Sequence, residues 1–378
     1  MQQISRKILL TVSLFLLLLS PAWSTDSEEE RLYSEAFQLI ESFNGGRDSL
    51  SRAAELTADL LKRNPESAPG LLNAARLTLL RGYISYDNFD QGAVFKAQQL
   101  VNRALKNSPD FADGQILGAY AFIVDNSPKG MRQAKQMAAR GAELAPDSPR
   151  VDLLYARIAE AEKDWDEVLR RANRVLAKAD DPNLDRMGHE YLVDIYRHRK
   201  QYDLAEKSFR TILELDPGSP WALVNFASFL NARGRYDEAI EYGEKALTIM
   251  DFGMAHNALG KAYYQIAYDL QWKEKRPEEA KKYFLLAIRH NPGNSNAHYG
   301  LGMACYNTGH RDKNHADLKV AEEALSQALR LDPNHKQARE QLDKLNKLLE
   351  WLKKRGEKYT GTNLTFLGGL ELVLFCSI

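Results

Sequence analysis

Cysteine is nearly absent: Cys305 and Cys376 are the only two in 378 residues. A disulfide framework is thereby excluded as the source of the fold. Cys305 stands beside Leu301 and Gly302, where a small buried apolar residue is expected. Pairing with Cys376 in an oxidising compartment stays open, because sequence alone does not supply the required geometry. Net charge is also lacking. Lys and Arg number 51, as do Asp and Glu, and this balance argues against a general polyanion binder and makes nucleic acid an unexpected partner. The most apolar run is Ile8–Leu19, whose twelve residues are too few to span a bilayer comfortably. Catalytic signatures are missing as well: no His-Glu-x-x-His zinc motif, no Gly-x-Ser-x-Gly nucleophile turn and no dinucleotide glycine fingerprint. The stretch Gly253–Lys261 only superficially resembles a phosphate loop, since its glycines are two residues too far apart and Ala262 stands where a hydroxyl is needed. No enzyme, cofactor or metal is therefore expected.

What is present is a period. Pro65, Pro109, Pro146, Pro182, Pro217, Asp251, Pro292 and Pro333 read as helix-ending residues at steps of 44, 37, 36, 35, 34, 41 and 41. Units of that size cannot bury an apolar face alone and must stack. Between Arg186 and Ser219 the unit is clearest, with Leu192, Val193 and Tyr196 on one helix and Ala205, Phe209 and Ile212 on one face of a second. Later copies carry Phe226, Ala227, Ala239, Gly243 and Ala246, then Leu259, Gly260, Tyr263, Ala280, Phe284, Ala287 and Pro292, then Leu301, Gly302, Ala321, Leu325, Ala328 and Pro333. Ala134, Ala97 and Ala53 trace weaker copies backward.

This pattern resembles the tetratricopeptide repeat family over roughly residues 28–335, in about eight units. The resemblance implies an all-α, right-handed α-solenoid of tandem helix-turn-helix repeats in which first helices line a concave surface. Asn257, Lys261 and Tyr264 then share one face of a first helix, Asn296, Tyr299, Met303 and Tyr306 a comparable face in the next unit, and Trp221, Asn225 and Ser228 extend it one unit earlier. Trp221, Asn225, Asn257, Lys261, Tyr264, Tyr299 and Tyr306 are the candidate ligand-binding residues; the competing reading is that the aromatics simply pack between helices. Some members of the family hold a peptide carboxylate with Lys-Asn, Asn and Lys-Arg positions on successive first helices. Asn225 fits one position, but Glu190 and Asp194 occupy the preceding unit, so that clamp is not supported.

The termini follow another logic. Arg6-Lys7, the apolar run and Ser20-Pro21-Ala22-Trp23-Ser24 read as a secretory signal over residues 1–24, with cleavage after Ser24. Removal of Arg6 and Lys7 leaves 49 basic against 51 acidic residues. The solenoid is expected over 25–335 and a capping helix over 336–355, where Ala338, Leu342, Leu345, Leu348, Leu349 and Leu352 make an apolar face. An apolar tail over 356–378 docks on the solenoid, meets a partner, or is an atypical terminus; these alternatives stay open.

Three insertions interrupt the period. Gln265–Trp272 is expected to lengthen a first helix by about two turns before Pro277 opens the second. Tyr83–Gln91 and Asn307–Asp317 read as edge loops, the latter with His310, Asp312, His315 and Asp317 at no recognised metal spacing. The resulting expectation is a non-enzymatic scaffold of the bacterial envelope, exported to the periplasm, that presents a groove to a protein or extended peptide. The alternative is a periplasmic accessory component of solute or polymer transport that contacts its cargo directly. Partner identity and oligomeric state are not set by the sequence.

Overall fold

A computed structural model of the protein describes residues 27–41, 43, 47–85, 88–178 and 181–355. The signal segment, Cys376 and the apolar tail lie outside these residues. The chain divides into two compact units between Ala205 and Glu206. Among the described residues there are 17 α-helices, and no helix is long and apolar enough to cross a membrane.

The first unit contains α1 (Ser27–Glu41), α2 (Arg47–Arg63), α3 (Ala68–Arg81), α4 (Gln91–Asn107), α5 (Ala112–Ile123), α6 (Pro128–Leu144), α7 (Pro149–Glu162), α8 (Trp165–Lys178) and α9 (Pro182–His198). These form helix-turn-helix pairs, α1 with α2 through α7 with α8, and each second helix packs on the first helix that follows. The first helices also touch one another in sequence, α1 on α3, α3 on α5, α5 on α7 and α7 on α9, making a continuous row. The residues that stop and start helices are visible in the caps. Ser67 and Ser127 accept hydrogen bonds from the Gly70 and Gly130 amides at 3.2 and 2.8 Å, satisfying donors that a helix start would otherwise leave open. The insertion between α3 and α4 folds as a small antiparallel hairpin, β1 (Tyr83–Ser85) on β2 (Asn88–Phe89), and buries Phe89.

One expectation is corrected here. Pro65, Pro109 and Pro146 each follow a second helix by two residues, but Pro182 is the first residue of α9, with Asp181 as its cap. Proline suits that position because its missing amide has no partner there anyway.

The division falls within helix α10 (Tyr202–Leu215), and the second unit continues with α11 (Pro220–Ala232), α12 (Tyr236–Ile249), α13 (Gly253–Tyr268), α14 (Pro277–His290), α15 (Ser295–Arg311), α16 (His315–Leu331) and α17 (Lys336–Arg355). The pairs are α11 with α12, α13 with α14 and α15 with α16, and the first helices again touch in a row that ends on α17. The small residues of the period are where helices meet: Ala239, Ala246, Ala280, Ala287, Ala321 and Ala328 are fully buried. A Cβ added at Gly243 would stand 2.9 Å from Leu259, and one at Gly302 2.7 Å from Leu325. The cap α17 buries Ala338, Leu345 and Leu352.

Both second-unit insertions are helical. Beyond Tyr268, α13 continues as a π-helical turn over Asp269–Lys273 that places Trp272 against Phe284 at 5.8 Å between ring centroids. The polar stretch from Asn307 to Asp317 is not the loop its composition suggested. Residues 307–311 complete α15, three residues turn, and His315 opens α16 under the Asn314 cap. Gly309 makes this continuation fit, since a Cβ there would meet Leu318 at 2.9 Å. Turns within pairs pass through left-handed residues, among them Lys163, Gly234, Lys275 and Lys313, at φ of 62°, 76°, 61° and 54°.

Candidate functional site

The sequence-derived stripe lies wholly in the second unit. Asn225 on α11 and Asn257 and Lys261 on α13 are exposed, as are Ser228 and Asn296. The aromatic members are half-buried. Trp221 packs edge-on against Phe252 at 4.9 Å. Tyr264 meets Phe284 at 6.1 Å and Tyr268 at 6.2 Å. Tyr299 stacks on Trp272 at 6.1 Å and meets His335 at 4.9 Å, and Tyr306 stacks on His310 at 5.9 Å. Burial raises the hydroxyl pKa of Tyr264 and Tyr299 above the ordinary tyrosine value. The stripe thus separates into an exposed Asn-Lys set and a group of aromatics that already have packing partners. Among the described residues, no cluster of His, Cys, Asp and Glu could hold a metal ion; Asp317 is engaged by Thr308 at 2.6 Å and Lys281 at 2.5 Å.

The first unit holds a cavity of about 400 Å³. Its wall is built from the row of first helices: Ile40 and Glu41 of α1, Leu79 and Leu80 of α3, Ile116, Leu117 and Tyr120 of α5, Leu153 and Leu154 of α7, and Met187 and Tyr191 of α9, with Phe43 and Phe89 added from connections. Stacking alone accounts for this, because equivalent faces of successive first helices are brought side by side. Four arginines, Arg76, Arg150, Arg157 and Arg186, also face it.

The arginines are held differently. Arg76 is buried and pairs with Asp113, whose carboxylate also accepts from the Tyr33 hydroxyl at 2.9 Å; Arg76 donates to Asn73 at 3.2 Å. Burial of Asp113 opposes its ionisation, but the charge and hydrogen bonds of Arg76 and Tyr33 outweigh that and hold its pKa below the ordinary aspartate value. Arg150 pairs with Glu41 at 2.8 Å, and both Arg150 and Arg76 lie over the Phe37 ring, at 5.2 and 4.7 Å. Arg157 pairs with Glu160 and Arg186 with Glu190. Neither of those glutamates lines the cavity. Tyr191, whose pKa burial pushes far up, donates to the Leu153 carbonyl at 3.5 Å. The arrangement combines an apolar wall, a cationic side and a few acceptors, which is the make-up of a binding site and supplies no nucleophile with an adjacent base.

Residues 218–292 and 192–219 match the tetratricopeptide repeat as a sequence family, so this stretch carries tetratricopeptide repeats, and the described residues form an all-α solenoid. Among curated protein sequences none matches. Two solved structures illustrate the likeness. The human IFIT1 dimer with m7Gppp-AAAA is 14% identical, with a TM-score of 0.56 over 85% of this chain and 72% of that one. TTC0263, a thermophilic TPR protein of Thermus thermophilus, is 18% identical, with a TM-score of 0.43 over 53% of this chain and 98% of that one.

Proposed function

We propose that the protein is a non-enzymatic scaffold of the bacterial cell envelope that holds a protein or extended peptide partner on its row of first helices. The observation that carries this is the origin of the cavity wall: five consecutive first helices contribute, and no second helix does. A surface shared by several repeats suits an extended ligand that reads one pocket per repeat. The exposed Asn225, Asn257 and Lys261 supply a comparable polar face in the second unit. Export to the periplasm rests on Arg6-Lys7, the apolar run that follows and the small residues ending at Ser24.

A second reading, an accessory component of transport that contacts a solute or polymer directly, is favoured by the cavity volume of about 400 Å³, which is within the range of small-molecule sites. Pull-down from an envelope fraction, paired with a screen of small ligands, separates the two. A stable protein partner supports the scaffold, while a saturable small ligand with no protein partner supports the transport reading. Amino-terminal sequencing of the soluble periplasmic protein is expected to begin near Thr25; an intact Met1 on membrane-bound protein would reject export by a cleaved signal.

A further inference from the structure

The chemistry of the cavity narrows the class of partner, on the premise that the first-helix row is a binding surface at all. We infer that the first unit takes a peptide segment carrying a carboxylate within two residues of a large apolar side chain. Four guanidinium groups face the cavity against only two carboxylates, Glu41 and Asp113. The acids that balance Arg157 and Arg186 are Glu160 and Glu190, each one helical turn along its own helix and off the wall. The cationic ends of these pairs therefore face the ligand and the anionic ends do not. In a partly enclosed apolar space such an oriented pair attracts an anion more strongly than it would in water.

The apolar part has its own place. Leu79, Ile116, Leu117, Leu154 and Met187 come from four successive first helices and form one apolar wall beside the arginines. A ligand filling this space must present a bulky apolar group and an anion close together. Glu41 and Asn183 add acceptors, and Asn183 a donor, which match a peptide backbone better than a ligand that only accepts hydrogen bonds. Nucleic acid fits less well. A phosphate chain brings one negative charge per nucleotide and needs a run of cations, whereas only Arg157 and Arg186 have their balancing carboxylates off the wall, which suits a single carboxylate.

The test is selection of a random heptapeptide library, displayed with free carboxyl ends, on the mature full-length protein. Selected peptides are then synthesised with a fluorescent label and titrated by anisotropy. The inference expects enrichment of Asp, Glu or the terminal carboxylate beside Phe, Leu, Met or Trp. It also expects at least about tenfold weaker binding when the acid of the peptide is amidated, and in Arg157→Gln and Arg186→Gln proteins of unchanged far-UV circular dichroism. The amidated peptide keeps the test valid should either variant fold poorly. Selected peptides that lack the acid, or bind equally well after amidation, overturn the inference and leave the peptide-groove reading standing; no enrichment at all overturns both. A labelled oligoadenylate that displaces the selected peptides and is weakened by the same arginine variants would assign the cavity to nucleic acid and overturn the inference.

Discussion

Replacing three glycines of the second unit with alanine, one at a time, tests the packing register quantitatively. Gly300 on α15 is the severe case, because an added Cβ would stand 2.3 Å from both Cε1 and Cζ of Phe284. Carbon atoms prefer about 3.5–4.0 Å, so the ring must move by more than an ångström. It has nowhere to go: Phe284 is fully buried, with Trp272 edge-on at 5.8 Å and Tyr264 at 6.1 Å. Overpacking of that kind costs about 1–3 kcal/mol or more, which exceeds the roughly 1 kcal/mol that alanine gains over glycine in a helix interior. Gly260 on α13 is intermediate, with Asn291 Cβ at 3.1 Å and the Ala287 carbonyl at 3.4 Å. A shift of a few tenths suffices there, and the expected net change is within about 1 kcal/mol of zero. Gly253 meets nothing within 4 Å and serves as the control, with no loss expected. Urea unfolding followed by both circular dichroism and tryptophan fluorescence is the assay, since stacked repeats need not unfold in one step. A Gly300→Ala protein as stable as Gly253→Ala would refute the packing of α15 on α14.

The larger change Gly260→Leu, against the same neighbours, is expected to cost about 1–3 kcal/mol in the same assay. Arg76→Met leaves the half-buried Asp113 without its cation and is expected to cost more than the roughly 1 kcal/mol of an exposed pair and at most the about 3–5 kcal/mol of a fully buried one; a loss below about 1 kcal/mol would show that the pair is solvated. Because the folded pKa of Asp113 is depressed below 3.8, its contribution is full above that value and is lost as pH falls through the lower folded value. Asp113→Asn should therefore remove part of the acid destabilisation seen by circular dichroism below about pH 4, and an unchanged acid limb would contradict the assignment. Lys313→Gly relieves a left-handed lysine at φ 54° and should stabilise by about 0.5–1 kcal/mol in urea titration; destabilisation would place the turn elsewhere. Tyr264→Ala and Tyr299→Ala separate recognition from packing. At least about 1 kcal/mol of lost partner affinity with normal stability marks contact residues, whereas lowered stability with normal affinity removes both from the binding surface.

The repeat was legible because its small residues are imposed by helix contact. Ala239, Ala246, Ala280, Ala287, Ala321 and Ala328 recur where no larger side chain fits, and that demand shows in sequence as a period. Pro182 misled because a proline that follows one helix and a proline that opens the next look alike until the caps are seen. Asn307–Asp317 misled for a related reason. Glycine and polar residues signal a turn, yet Gly309 is small because Leu318 approaches it. The cavity left no local signature. Its arginines lie on three different helices, and Arg157 with Glu160 and Arg186 with Glu190 each look like an ordinary pair on a solvated helix face. Only stacking brings their cationic ends to one space. A sequence reader's cue would have been arginine recurring on the first helices α3, α7 and α9, where the family's concave face is expected.

The central claim is that the first-helix row, and not the outer helices, meets the partner. A photo-crosslinking residue placed at Met187 on the cavity wall, at the exposed Asn257 on α13, or at Phe95 on the second helix α4, which is 61% exposed, tests it in intact envelopes by mass spectrometry of the adducts. The account predicts a recurrent protein adduct at Met187 or Asn257 and none at Phe95. Adducts at Phe95 alone, or none at either first-helix position, would contradict it.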